Sequence, residues 1–228
     1  MMRNLLLGLL ILCSAITAAQ VRETVSILGD SYSTFEGFIT PETNEPWYFR
    51  EKDAKRTDVA DVTQTWWWQV VKNGGYKLGV NNSYSGATIC YSGYHDGDYS
   101  SRSFITRCPM LGNPDIILVF GATNDSWANA PIGDYKYKDW VRADLYTFRP
   151  ALAKLLHDLA VRYPNVKVYF MLNTGLKEEI NASVLTICKY YGVPVIQLTD
   201  IDKQNGHPTI KGMKSISAQV LQVLHREK

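Results

Sequence analysis

Short apolar runs recur along the chain, each closed by glycine or a polar cluster and most followed by a segment with helical spacing. The first, Val25-Ser26-Ile27-Leu28, runs into Gly29-Asp30-Ser31 and predicts a buried parallel strand that ends in a tight turn. Residues 76–84 predict a second strand. Asp115 to Phe120 predicts a third, apolar almost throughout as a central strand should be. Strands are also expected over 166–172 and 193–198. Between them, Trp66 opens a helix behind Thr65. Pro150 opens one carrying Leu152, Leu155, Leu156 and Leu159. Residues 178–191 form another that stops at Gly192, and residues 209–226 close the chain as a helix. Such alternation argues for an α/β fold, a three-layer α/β/α sandwich on a five-stranded parallel sheet in the flavodoxin-like order.

Two long polar stretches, 34–64 and 87–113, interrupt this pattern and read as irregular loops. The first 19 residues read as an address. A basic head (Met1 to Asn4) precedes an apolar core (Leu5 to Leu12), and Thr17-Ala18-Ala19 supplies small residues for cleavage before Gln20. Residues 1–19 are therefore expected to be a signal peptide and 20–228 one domain, exported to a periplasm or the outside. Anchoring as a lipoprotein through Cys13 is the alternative, disfavoured by the bulk of Leu12. No other span is apolar enough to cross a membrane. A net charge of +2 gives no reason to expect nucleic acid or an anionic surface as partner. Cys90, Cys108 and Cys188 make no disulfide framework: Cys90 and Cys108 bridged, or three free thiols, are both open. No Cys/His spacing suggests a metal, and no cofactor is expected.

The chemistry gathers at the strand ends. Ser31 follows the first strand, and Asn82 to Ala87, including Gly86, follows the second. Gly121-Ala122-Thr123-Asn124-Asp125 follows the third, and Asp202 to Pro208, including His207, follows the last. A parallel sheet brings these points to one edge. A serine, a close-approach glycine, an asparagine amide and a histidine are the inventory of acyl transfer: nucleophile, base and oxyanion donors.

Four separated motifs, Gly29-Asp30-Ser31, Gly86, Asn124-Asp125 and His207-Pro208, resemble those of the GDSL or SGNH hydrolases, in order and over nearly the whole chain after the leader. The resemblance implies Ser31 as nucleophile and His207 as base. It also implies an oxyanion hole made of the Ser31 and Gly86 N–H groups and the Asn124 side-chain amide. Two positions depart from the family pattern. Ala122 stands where the third motif has glycine, and Gln204 stands where an aspartate is usual, three residues before the histidine. Asp202 is the favoured orienter of His207, with Gln204 or a backbone carbonyl as alternatives.

Among the aromatics, Trp47 and Tyr48, close after the nucleophile, are the expected substrate platform. Trp66-Trp67-Trp68 points three ways from a helix and sends at least one ring into the core. His95 lies in a loop that could touch substrate, and His157 and His225 read as surface residues. The expected function is an exported serine esterase that removes short acyl groups, acetyl foremost, from a carbohydrate, presented as a small-molecule or polysaccharide ester, through an acyl-enzyme intermediate. The alternatives are a glycan-binding protein with little turnover, or a lipid or thioester acylhydrolase.

Overall fold

A computed structural model describes residues 21–51, 53 and 55–226; the expected signal peptide and Cys13 lie outside the described residues. Five parallel strands form the central sheet: β1 (Thr24–Gly29), β2 (Lys77–Ser83), β3 (Ile116–Gly121), β4 (Lys167–Leu172) and β5 (Val195–Gln197), in the order β2-β1-β3-β4-β5. This is the flavodoxin-like order. The helices are α1 (Trp66–Asn73), α2 (Phe104–Arg107), α3 (Thr123–Trp127), α4 (Phe148–Arg162), α5 (Glu178–Tyr191) and α6 (Ile210–Arg226). α4 begins two residues before Pro150, whose missing N–H costs nothing in a first turn. β5 is shorter than the apolar run that predicts it.

The two-residue period of the strands feeds two cores. On one face Ile27, Ile116, Leu118 and Phe120 pack with Trp66, Trp67 and Val70 of α1 and with Met213, Ile216 and Val220 of α6. On the other, Leu28, Ile117 and Val119 pack with Leu152 and Leu155 of α4 and Val184 and Ile187 of α5. Every residue of β3 is buried, as a strand covered on both faces must be. Trp66 and Trp67 are core residues, and Trp68 is partly exposed. Cys90, Cys108 and Cys188 are all free and buried, so the Cys90–Cys108 bridge is not made. No helix among the described residues is long and apolar enough to cross a membrane.

One element was not expected. Residues 202–208, read as loop, contain a two-stranded antiparallel hairpin, β6 (Lys203–Gln204) and β7 (His207–Pro208). Its two-residue turn, Asn205-Gly206, has φ of 49° and 76°, the left-handed pair that a tight hairpin turn demands and that Asn-Gly supplies at least strain.

Candidate active site

Ser31 sits just past the C-terminal end of β1, in a single 3-10 turn over Ser31–Ser33. Asp30 caps that turn, its carboxylate accepting from Tyr32 N–H at 3.0 Å. The strand ends are held from below by Arg107 of α2, which donates to Gly29 C=O (3.1 Å) and Asn82 C=O (2.5 Å). Burial pushes the Arg107 guanidinium down to about 9 and the Asp30 carboxyl up to about 7, the charge of Arg107 partly opposing the latter shift. One carboxyl oxygen of Asp30 is buried without a partner, which suits a group that holds its proton near neutrality.

The hairpin delivers His207. Its Nε2 lies 2.8 Å from Ser31 Oγ, and its Nδ1 lies 3.0 Å from the carbonyl of Asn205. The carbonyl can only accept, so Nδ1 carries the proton and Nε2 is free to take one from the serine. The orienter is thus the backbone carbonyl, the last of the three alternatives. Asp202 is not a catalytic member: its carboxylate accepts from the Thr209 hydroxyl. Gln204 does not orient the imidazole either: Nδ1 meets the Asn205 carbonyl, and the Gln204 amide nitrogen donates to Lys55 C=O at 3.4 Å. Three residues apart in the chain, Gln204 and His207 bracket the turn as a cross-strand pair, which leaves the intervening Asn205 carbonyl beside the ring.

Aromatic rings fix the imidazole. Trp47 stacks on it at 3.6 Å between centroids and 7° between planes. Tyr32 packs at 5.3 Å, and its hydroxyl donates to Gly206 C=O at 2.5 Å, tying the nucleophile's turn to the hairpin. Tyr48, expected to face substrate, does not: it is fully buried and donates to Pro208 C=O at 3.0 Å, a brace beneath the hairpin. Burial pulls the His207 imidazole down to about 4. The Asn205 hydrogen bond opposes this, while the charges of Arg56 and Lys203 add to it.

The oxyanion side is built by two side chains of the short helix α3. Asn124 is 3% exposed; its Nδ2 donates to Ala87 C=O at 3.0 Å, and its Oδ1 accepts from the Tyr94 hydroxyl at 2.7 Å. Tyr94 thereby sets which way the amide faces and leaves one Nδ2 hydrogen for another acceptor. Asp125 accepts from Ile89 N–H (2.9 and 3.0 Å) and Cys90 N–H (3.1 Å); its carboxyl is pushed up to about 6 by burial, against those bonds. The pair therefore clamps the loop that follows Gly86. Gly86 itself has φ of 76°, a left-handed turn in which its N–H meets no protein acceptor among the described residues. Ala122, in the family's glycine position, adopts φ of 72°, the left-handed region that favours glycine.

Ser31, Gly86, Asn124, Trp47, Trp127 and His207 line one open cavity of about 310 Å3, together with Glu45, Arg56 and Arg102 from the long loops. Nothing in the linear pattern singled out Arg56, Arg102, Tyr94 or Arg107, each a lone residue within one of the two long polar stretches. The Asn205-Gly206 dipeptide was a readable hairpin signal. His95 is exposed and is not part of the cavity wall, although its neighbour Tyr94 is. No group of three or more His, Cys, Asp or Glu among the described residues could hold a metal ion.

Residues 23–224 match the family model described as GDSL-like lipase/acylhydrolase. A protein described as a GDSL-like lipase from Bacteroides ovatus ATCC 8483 is 57% identical. The similarity covers 92% of this chain and 100% of that one, with a TM-score of 0.89. A second, from Bacteroides uniformis ATCC 8492, is 52% identical over 91% of this chain and 97% of that one, at a TM-score of 0.88. A family two carbohydrate esterase from Clostridium thermocellum, solved in complex with cellohexaose, shares the fold. It has a TM-score of 0.60 and 12% identity, covering 90% of this chain and 64% of that one. No curated protein matches the chain.

Proposed function

The chain belongs to the GDSL-like lipase/acylhydrolase family and so is an ester hydrolase, and on that premise we propose that it is exported and removes short acyl groups, acetyl foremost, from a carbohydrate through an acyl-enzyme on Ser31. The observation that carries the chemistry is the 2.8 Å contact between Ser31 Oγ and His207 Nε2. His207 takes the Ser31 proton as Oγ attacks the ester carbon. In this reading the N–H groups of Ser31 and Gly86 and the Nδ2 hydrogen of Asn124 not bonded to Ala87 receive the developing oxyanion. The protonated imidazole then returns its proton to the leaving sugar hydroxyl, and water repeats the cycle on the acyl-enzyme.

The cavity supports a sugar over a long lipid chain. It holds about 310 Å3, and its wall includes charged Glu45, Arg56 and Arg102 beside the aromatic Trp47 and Trp127. The leader-like residues 1–19 support export. One observation favours a second reading, a glycan-binding protein with little turnover. A carbonyl, not a carboxylate, faces the imidazole, so the imidazolium formed in each step is weakly stabilised. A protein sharing the fold at 16% identity is described as a carbohydrate esterase whose active site displays divergent catalytic and non-catalytic binding functions. Hydrolysis of p-nitrophenyl acetate by the wild type and by Ser31→Ala separates the two. A Ser31-dependent rate supports the esterase; equal background rates overturn it.

A further inference from the structure

We propose, building on the esterase reading, that the ester taken by this cavity bears a carboxylate of its own, as an acylated uronic acid does, and that Arg56 and Arg102 receive it. Both guanidinium groups line the cavity that holds Ser31 and His207. The Arg56 guanidinium lies 3.8 Å over the Trp47 ring, whose indole stacks in turn on His207. That of Arg102 lies 4.2 Å over Tyr99 and 5.3 Å over Tyr84.

Stacking occupies the flat faces of a guanidinium and leaves its in-plane N–H donors for other acceptors. Elsewhere in the chain such donors are used: Arg107 donates to three carbonyls, and Arg149 to Ser183 Oγ and Gly133 C=O. Among the described residues neither Arg56 nor Arg102 makes an ion pair or a side-chain hydrogen bond, and Arg56 Nε is buried without a partner. Glu45 is the one carboxylate in the same wall; it is exposed and pairs with neither. Two forked cations face one carboxylate in this wall; Arg56 also borders a neighbouring cavity with Glu36, Glu51 and Asp53 but, among the described residues, pairs with none of them, and a planar carboxylate is the group such forks match two bonds at a time. The arrangement also bears on the base. Arg56 is one of the charges that disfavours the imidazolium of His207, and a bound carboxylate would offset it.

The test compares matched acetyl esters of methyl glucuronoside, methyl glucoside and a sulfated methyl glucoside. Wild-type kcat/KM is expected to favour the uronate over the neutral sugar by about tenfold or more. The preference should shrink as salt screens the charges. It should fall toward unity in Arg56→Gln and in Arg102→Gln, with Arg102→Lys restoring part of it. Equal wild-type rates on the acidic and neutral esters, or a preference that survives both glutamine variants, would overturn the proposal. A preference for the sulfated sugar would overturn the carboxylate assignment. Calorimetric titration of the same three esters into Ser31→Ala gives the comparison without turnover. If every rate is at background, the esterase reading fails while the ratio of binding constants still decides whether charge selects the ligand.

Discussion

At the scale of single residues, two side chains carry opposite expectations. Asn124 has its Oδ1 fixed by Tyr94 and one Nδ2 hydrogen committed to Ala87, leaving the second for the oxyanion. A donor that acts on developing charge lowers the barrier without changing substrate binding, so Asn124→Ala should reduce kcat by about 10²–10³ with little change in KM. Asn124→Asp should be at least as damaging, since it places an acceptor where a donor is required. Near-wild-type turnover in Asn124→Asp would remove the residue from the site. Asp202 is the converse case. Loss of a triad aspartate costs a serine hydrolase about 10⁴ in kcat, but this carboxylate faces Thr209. Asp202→Asn should therefore keep kcat within about threefold, since it leaves untouched the contacts through which a triad acid acts. A drop of several decades at an unchanged melting temperature would restore Asp202 to the mechanism.

At the scale of elements, the β6–β7 hairpin decides where the base stands. Its turn supplies both the carbonyl that orients His207 and the carbonyl that Tyr32 holds. Gly206 has φ of 76°, and a Cβ added there would come within 3.1 Å of the Trp127 ring. A left-handed alanine costs roughly 1–2 kcal/mol before that contact is counted. Gly206→Ala is expected to lower the melting temperature by several degrees and to reduce kcat, because the strain falls on the segment that sets the imidazole's position. Thermal unfolding and steady-state kinetics on the same preparation check this; a variant with unchanged kcat would show that the hairpin tolerates displacement.

At the scale of the whole molecule, three buried titratable groups set a dependence of stability on pH. Asp30 and Asp125 are raised to about 7 and about 6, so the folded state binds more protons than the unfolded one between their ordinary range near 3.8 and those values. Their contribution is fully present below that range and is lost as pH rises through 6 to 7. His207, lowered to about 4, acts the other way: the unfolded state binds its proton first, and stability is lost as pH falls from 6.5 toward 4. Two carboxyls outweigh one imidazole where the windows overlap. Above 6.5 only Asp30 still titrates. The melting temperature should therefore fall between pH 5 and pH 8. Asp30→Asn should flatten the part of that fall above pH 6, while keeping an acceptor for Tyr32 N–H. A melting temperature that rises steadily over the interval would contradict the assignment.

Local pattern was enough to define the layers and the edge where chemistry gathers. The unbroken apolar run of β3 and the helical spacing in α4 and α6 are local properties, and a parallel sheet then aligns every strand's C-terminal end. That alone puts Ser31, Gly86, Asn124 and His207 at one edge. What orients His207 was not local. Asp202, Gln204 and the Asn205 carbonyl all lie within five residues of it, and only the hairpin's turn says which one meets Nδ1. Tyr48 and Trp47 are neighbours of like composition. Their division into buried brace and stacked wall depends on how the 34–64 loop packs against β7. The arginines of the cavity were illegible for the same reason. A lone cation in a polar loop has no periodicity, and its partner, or its lack of one, exists only once distant segments meet.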